Sequence, residues 1–291
     1  MIKLGTSDIS KVYFGANEIT KAYLGSTEVY SSASFLLDTY GTAALGLSLD
    51  LLSSTYSGNC VNVRNDDDDE LGIGFASGVL DTSALLTHCG SGDGFVVDWY
   101  GQIANVNVSN SAENEQPKIV DSGALILVNG KPCIEFSAGK NLKNTSFSLD
   151  ETTSLCNSLV AKFDNTDANQ FIYASRKVSA NRSTVGINVN NVISYASRTA
   201  SITSSSQSIN TNQKLIFTEN IGVNIDVNQN GPNANVGIFN TGSDNSFFIG
   251  SNGNGDNNFI GKLQEMVSWQ VDQRTNQSGI ETEVNSRYTI Y

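Results

Sequence analysis

Proline, histidine and charged residues are scarce in this chain of 291 residues. It has three prolines and one histidine, and Asp, Glu, Lys and Arg together make up 16% of it. Few prolines leave strands free to pair along their length. The 26 glycines, together with many Asn and Ser residues, supply turns between strands. The composition is therefore typical of a β-rich protein.

Basic residues are outnumbered, with 17 Lys and Arg against 29 Asp and Glu, so the net charge is −12. A negative chain repels phosphate backbones and anionic lipids, and we expect no nucleic acid among its partners. The sequence lacks an apolar run long enough to span a bilayer, so we expect no membrane insertion. Lys3, Asp8, Lys11 and Glu18 interrupt the N-terminus, which argues against a signal peptide and favours synthesis in a cytoplasm.

Cysteine is also limited, and no two cysteines have the C-x-x-C spacing. Cys60, Cys89, Cys133 and Cys156 lie far apart, and the single histidine, His88, cannot complete a metal tetrad with Cys89 alone. We interpret the four thiols as small buried side chains, and a disulfide or a zinc site is the alternative. We expect no metal and no cofactor.

Residues 4–30 contain three copies of a ten-residue repeat, which begin "LGTSDI", "FGANEI" and "LGSTEV". Alternating residues beside Gly15, Ala16 and Asn17 predict a short strand, a tight turn and a second strand in each copy. Strands this short cannot bury a core by themselves. The segment therefore needs a partner, which is either the rest of the chain or other copies of itself.

The remaining chain alternates short apolar runs with turn residues. From residue 153 onward the runs are five to eight residues long, which predicts a β-sandwich or jelly roll. Asn129 and Gly130 predict a hairpin turn. Residues 81–90 predict a short helix between a capping Asp81 and a terminal Gly90, and residues 273–288 predict a second helix. Residues 43–52 fit either a helix or a buried strand.

Four segments, in chain order, resemble the arabinofuranosidase B-like catalytic domain. They read "SLDLLSSTYSGNCVNVRN", "GDGFVVDWYGQ", "QPKIV" and "VNGKPCIEFSAGKNL". The resemblance covers residues 35–291 and implies a concanavalin A-like lectin and glucanase (LamG-type) sandwich. We therefore predict an all-β fold, an antiparallel β-sandwich of the concanavalin A-like jelly-roll type, with one or two short helices. The predicted domains are an N-terminal β-repeat segment for attachment and oligomerisation, residues 1–33, and the sandwich, residues 34–291.

The triple repeat is similar to the N-terminal segment of bacteriophage virion proteins. Together the two resemblances imply a structural protein of the virion, most simply a tail fibre or adhesin subunit assembled in the host bacterial cytoplasm. Such a subunit is expected to form a trimer, to contact other virion proteins and to bind a host-surface glycan. The alternatives are a capsid decoration, head fibre, baseplate or tail protein without host recognition, and a glycoside hydrolase.

The resemblance also bears on catalysis. Retaining glycosidases use two carboxylates, a nucleophile and an acid. At the positions that match the family's two carboxylates this chain has Val185 and Asn252, with Asp256 as a fallback acid. On this alignment we predict no catalytic residues and no enzymatic activity.

Two sets of residues are predicted to make contacts. Trp99 and Tyr100, at the end of an apolar strand, and the Asn-rich loop of residues 250–259 are candidates for glycan binding. The alternative is that the aromatic rings are core residues and the loop is an ordinary turn. The predicted ligand-binding residues are Trp99, Tyr100, Asn252, Asn254, Asp256 and Asn257. The predicted attachment residues are Ile9, Tyr13, Phe14, Ile19, Tyr23, Leu24, Val29 and Tyr30.

The acidic run at residues 66–70 has two structural interpretations. It could bind calcium through several carboxylates, or form a solvated hairpin tip. The Asp-x-Asp-x-Asp-Gly spacing of a calcium loop is absent, so we predict the hairpin tip.

Overall fold

A computed structural model describes the molecule at two levels of detail. Residues 35–149, 154–164, 170–176, 245–253 and 258–291 are described with their side chains, and elsewhere mainly the backbone of individual strands is described. None of the helices within these residues is long and apolar enough to cross a membrane.

The N-terminal segment contains three separate antiparallel hairpins. Their strands are β1 (Lys3–Leu4), β2 (Ser7–Asp8), β3 (Val12–Phe14), β4 (Asn17–Ile19), β5 (Lys21–Leu24) and β6 (Thr27–Ser31). They pair as β1–β2, β3–β4 and β5–β6, with Phe14 opposite Asn17 in the second hairpin. In the sequence, a Gly-x dipeptide stands between the two strands of each pair. The predicted pairing of short strands is confirmed, and the residues of the turns lie outside the described residues.

The predicted attachment residues other than Ile9 lie within these strands. Tyr13 and Phe14 are in β3, and Ile19 is in β4. Tyr23 and Leu24 are in β5, and Val29 and Tyr30 are in β6. Ile9 is outside the described residues, and the contacts that these side chains make stay a prediction.

The rest of the chain is built from short strands. In the first half they are β7 (Leu45–Ser48), β8 (Val61–Asn65), β9 (Glu70–Ile73), β10 (Phe75–Ala76), β11 (Val79–Leu80), β12 (Gly94–Trp99), β13 (Val108–Ser109), β14 (Lys118–Asp121), β15 (Ala124–Leu125), β16 (Leu127–Val128), β17 (Lys131–Pro132), β18 (Ile134–Phe136) and β19 (Leu142–Asn144). In the second half they are β20 (Leu155–Phe163), β21 (Gln170–Lys177), β22 (Asn181–Ile187), β23 (Ile193–Ala196), β24 (Ser201–Thr203), β25 (Gln213–Ile221), β26 (Asn224–Asn228), β27 (Val236–Gly237), β28 (Ser246–Ile249) and β29 (Gly261–Trp269).

Nineteen of these strands form one hydrogen-bonded sheet that folds over itself into two layers. The first layer, sheet 1, has the order β9-β8-β12-β13-β19-β28-β21-β22-β23-β24-β27. The second layer, sheet 2, has the order β26-β25-β20-β29, with β7 and β18 both on the far edge of β29. Strand β14 joins the layers because it pairs with both β12 and β18. These pairings are antiparallel, which confirms the predicted all-β sandwich.

The core lies between the two layers. Trp99, Phe136, Phe163 and Phe247 are fully buried there, and the Tyr173 ring stacks on Phe247 with centroids 5.6 Å apart. Such large aromatic side chains contribute most of the apolar area that a sandwich removes from water. The four cysteines are buried, as predicted, and none of them forms a disulfide.

Both predicted helices are present, and a third precedes them. They are α1 (Leu36–Tyr40), α2 (Thr82–Cys89) and α3 (Gln277–Tyr288), with short 3₁₀ turns at Glu113–Glu115 and Arg274–Asn276. Asp81 caps α2, because its Oδ1 accepts the Ala84 N–H at 3.0 Å. Helix α3 buries one side, since Ile280, Val284 and Tyr288 recur every fourth residue. This side packs in a second apolar cluster that includes Trp269.

A buried polar network anchors α3 to sheet 2. The carboxylate of Glu265 is fully buried and pairs with Arg287 of α3 at 2.9 Å. Its other oxygen accepts hydrogen bonds from the hydroxyls of Ser48 at 2.9 Å and Tyr288 at 3.2 Å. Nearby, burial raises the pKa of Asp50 to about 6 although Arg287 opposes that shift. The network therefore adds a buried ion pair to the apolar packing of α3.

Two predicted turns are also confirmed. Asn129 and Gly130, with φ angles of 50° and 73°, separate β16 from β17. Residues 66–69 are exposed at the tip of the β8–β9 hairpin, where Asp68 pairs with Arg64 at 2.6 Å. The acidic run is thus the tip of a hairpin. The sequence allowed either a helix or a buried strand for residues 43–52. The structure has the buried strand β7 there.

Candidate functional site

The outward face of sheet 1 carries a straight row of polar residues ending in one aromatic ring. The strand registers place Asn62 opposite Asp98, Asp98 opposite Ser109, Ser109 opposite Lys143 and Lys143 opposite Phe248. Their sequence neighbours Val61, Trp99, Val108, Leu142, Phe247 and Ile249 are in the core, so the row faces away from it. Neighbouring strands are about 4.8 Å apart, so the path from Asp98 to Phe248 is about 14 Å long. We call this surface the outer-face groove.

A β-bulge turns Asp98 into the groove. The register between β12 and β8 shifts between Val96 and Asp98. Strict alternation would place Val96 and Trp99 on opposite faces, but the extra residue lets both point into the core. Asp98 is thereby left on the outward face.

Two clefts in the groove share Lys143 as a common wall. The first, which we call the Asp98 cleft, has a volume of about 500 Å³ and is lined by Asp98, Asn107, Ser109, Lys143 and Asn144 among others. The second, which we call the Phe248 cleft, has a volume of about 300 Å³ and is lined by Glu115, Asn141, Lys143, Phe248 and Ser251 among others. These volumes suit small ligands. Amide, hydroxyl and carboxylate groups on the walls suit a ligand rich in hydroxyls.

A tight turn after β28 shapes the Phe248 cleft. Gly250 and Gly253 have φ angles of +88° and +81°. A Cβ on Gly250 would meet the Phe136 ring at 2.5 Å, and a Cβ on Gly253 would meet the Phe248 ring at 2.6 Å. Both positions therefore require glycine. The turn holds Ser251 at the cleft, where its Oγ accepts the Gly253 N–H at 3.2 Å.

The electrostatic environment of the Asp98 carboxylate disfavours ionisation. Burial is the main cause that raises its pKa, and the charge of Glu70 adds to it. The Asn62 amide opposes the shift because its Nδ2 donates to an oxygen of Asp98 at 3.1 Å.

Glu115, in the adjoining Phe248 cleft, has the opposite environment. Hydrogen bonds from the amides of Asn110 at 3.1 Å and Asn141 at 3.3 Å lower its pKa, and the charge of Lys143 lowers it further. The groove therefore contains two carboxylates whose pKa values are shifted in opposite directions, upward for Asp98 and downward for Glu115.

The predicted ligand-binding residues have mixed outcomes. Trp99 is fully buried between the sheets, so its predicted glycan contact is corrected to a core position. Tyr100 is half-buried at the end of β12, and its predicted contact remains a prediction. Asn252 is only 4% exposed, and its neighbours Ser251 and Gly253 line the cleft instead. Asn254, Asp256 and Asn257 lie outside the described residues.

The sequence interpretation missed the residues that form the groove. Ser109, Lys143 and Phe248 lie on strands of two to four residues, and no motif marks them. The available signal was local alternation, as in Leu142-Lys143, where an apolar residue precedes a polar one. That signal shows which residues face outward but not which strands are neighbours.

No family model and no curated protein matches this chain. Solved structures do. A GH54 α-L-arabinofuranosidase variant soaked with 4-nitrophenyl α-L-arabinofuranoside superposes on 84% of this chain with a TM-score of 0.59 and 15% identity. An arabinofuranosidase complexed with arabinofuranosyl-α-1,2-xylobiose superposes on the same share with a TM-score of 0.59 and 14% identity. The fold is similar to that of the GH54 arabinofuranosidases. This chain spans 63% of their length, and at this identity the likeness shows the fold alone.

The comparison contradicts the prediction that this chain is not an enzyme, because the structures that share its fold are enzymes. The prediction depended on Val185 and Asn252 standing where the family has carboxylates. Losing carboxylates at two aligned positions does not exclude carboxylates elsewhere in the sandwich. Asp98 and Glu115 are two such carboxylates.

Proposed function

We propose that this chain is a carbohydrate-binding fibre subunit of a bacteriophage virion. In this proposal the outer-face groove binds a glycan of the host surface, and the N-terminal hairpins attach the subunit to the particle and to its copies. The observation that carries the binding role is the row from Asp98 to Phe248, which joins two polar clefts on an exposed face of the sandwich.

The chemistry of the groove favours a saccharide over other ligands. The half-buried Phe248 ring offers an apolar surface on which the C–H face of a sugar ring can pack. Ser109, Asn141 and Asn144 offer donors and acceptors for hydroxyls on either side of Lys143. The length of the row favours an oligosaccharide that crosses the strands rather than a single sugar.

The assembly role depends on the repeat. Each hairpin has only two strands, and two strands bury too little apolar surface to be stable in isolation. Exposed strand edges can pair with strands of another chain. Other copies of the same hairpin are the simplest partners, and we propose a trimer. A purely structural place on the capsid, baseplate or tail is the alternative, and the binding measurement below separates the two.

The binding role predicts that replacing Phe248 with alanine weakens glycan affinity about tenfold or more, because burial of one aromatic face contributes about 1.5–3 kcal/mol. Purified full-length chain is screened on a glycan array, and the best saccharide is titrated against both proteins. Phe75→Ala is the matched control, since Phe75 is a half-buried aromatic residue on β10 that lines neither cleft. Equal affinity of the Phe248→Ala and Phe75→Ala variants would exclude this groove as the binding site.

The two carboxylates of the groove favour glycoside hydrolysis as a second candidate function. Asp98, with its raised pKa, would act as the acid, and Glu115, with its lowered pKa, as the base or nucleophile. Hydrolysis predicts that the wild-type chain releases 4-nitrophenol from 4-nitrophenyl α-L-arabinofuranoside or a related glycoside. Asp98→Asn would then lower kcat about 100-fold or more, since a general acid contributes at least that much. If the Asp98→Asn variant releases 4-nitrophenol as fast as the wild-type chain, Asp98 is not the general acid.

A further inference from the structure

We propose that the Phe248 cleft selects an anionic sugar residue, one that carries a carboxylate or a sulfate, and that Lys143 and Arg176 bind the anion. This inference deepens the proposed glycan binding and depends on it. It concerns which saccharide the groove prefers, not whether it binds one.

Within the part of the chain that the structure describes, Lys143 forms no ion pair within 4 Å, and the charge that acts on it is that of Glu115. Lys143 lines both clefts, and among the described residues its side chain has no hydrogen-bond or ion-pair partner. Lys118, Lys162 and Lys262, by contrast, each pair with a carboxylate at their own place in the fold. A lysine that faces a cleft with its hydrogen-bond donors unused can bind an anion from solution.

Arg176 places a second cation beside the same aromatic ring. Its guanidinium carbon lies 5.9 Å from the centroid of Phe248, and its Nη1 is 3.4 Å from the carbonyl oxygen of Gly253. Strand register also places Arg182 directly opposite Arg176. In a chain with a net charge of −12, Lys143 and Arg176 beside one aromatic ring concentrate positive charge where the rest of the molecule is negative.

Glu115 on the opposite wall fits the same ligand. The amides of Asn110 and Asn141 already bind one of its oxygens, which disperses its negative charge. Its other oxygen can accept a sugar hydroxyl. An acidic sugar offers both groups, an anion for Lys143 and Arg176 and hydroxyls for Glu115, whereas a neutral sugar offers no charge to either cation.

The test compares saccharides that differ only in charge. Oligogalacturonate is titrated beside its methyl ester, and sulfated galactan beside unsulfated galactan, against the full-length chain at fixed ionic strength. We expect an anionic form to bind about tenfold more tightly than its neutral partner, because charge-assisted hydrogen bonds are the stronger class. Lys143→Met should remove this preference. Lys131→Met on β17, which makes the same change in net charge outside both clefts, should keep it.

Each outcome decides between the claims. If only oligogalacturonate binds more tightly than its neutral partner, the cleft recognises a carboxylate. If sulfated galactan also binds more tightly than unsulfated galactan, the cleft recognises negative charge whether a carboxylate or a sulfate carries it. Equal binding of the charged and neutral forms, or a preference that survives Lys143→Met, overturns this inference while leaving glycan binding intact. If no saccharide of any kind binds here or on the array, the proposed function fails with it.

Discussion

Replacing Arg287 with methionine is expected to lower the free energy of unfolding by about 3–5 kcal/mol, because it leaves the fully buried carboxylate of Glu265 without its counter-ion. Methionine keeps most of the length of the side chain, so the change removes the charge rather than the packing. The hydroxyls of Ser48 and Tyr288 still donate to Glu265 but cannot neutralise it. Urea denaturation at pH 7, followed by tryptophan fluorescence, measures the loss.

The matched control is the double variant Arg287→Met with Glu265→Leu. Removing both charges together is often neutral or stabilising, whereas removing one is costly. We therefore expect the double variant to recover most of the stability lost in Arg287→Met. A loss below about 1 kcal/mol in the single variant would mean that water reaches Glu265 and that α3 is anchored by its apolar side alone.

Deleting residues 1–33 is expected to convert the proposed trimer into a monomer. The proposal gives the N-terminal hairpins the entire assembly role, while residues 35–291 contain both apolar clusters and should fold without the segment. Light scattering coupled to size-exclusion chromatography should report about one third of the full-length mass for the truncated chain. Thermal melting by circular dichroism checks that the sandwich is retained.

A substitution tests the same claim with the segment in place. Val12→Pro and Ala22→Pro together remove strand donors from β3 and β5 and should weaken assembly as the deletion does. If the truncated chain still forms a trimer, the interface lies in the sandwich. If the chain with its repeats is a monomer, self-association through the repeats is refuted.

Elements with strong local chemistry could be predicted from the sequence. Helix α2 is marked at both ends, by the Asp81 cap and by Gly90, so its bounds follow from capping alone. The Asn129-Gly130 dipeptide determines a hairpin turn through its two positive φ angles. The all-β class follows from the density of short strands. In each case the determining interaction lies within a few residues.

The groove could not be predicted because its determinants are distant in sequence. Phe248 meets Lys143 only because β28 pairs with β19, and Lys143 meets Ser109 only because β19 pairs with β13. The bulge in β12 reverses the alternation that a sequence pattern assumes, and it explains why Trp99 is a core residue while Asp98 faces outward. Strand neighbours and bulges depend on the whole sandwich, which no local pattern contains.

The central claim is that a glycan lies along the row from Asp98 to Phe248. The most direct test is a crystal structure of the full-length chain soaked with the saccharide that binds best on the glycan array. We predict a sugar ring packed on Phe248 and a chain that crosses β19 and β13 toward Asp98. A saccharide bound on any other surface, or an empty groove at a concentration far above the measured Kd, would contradict it.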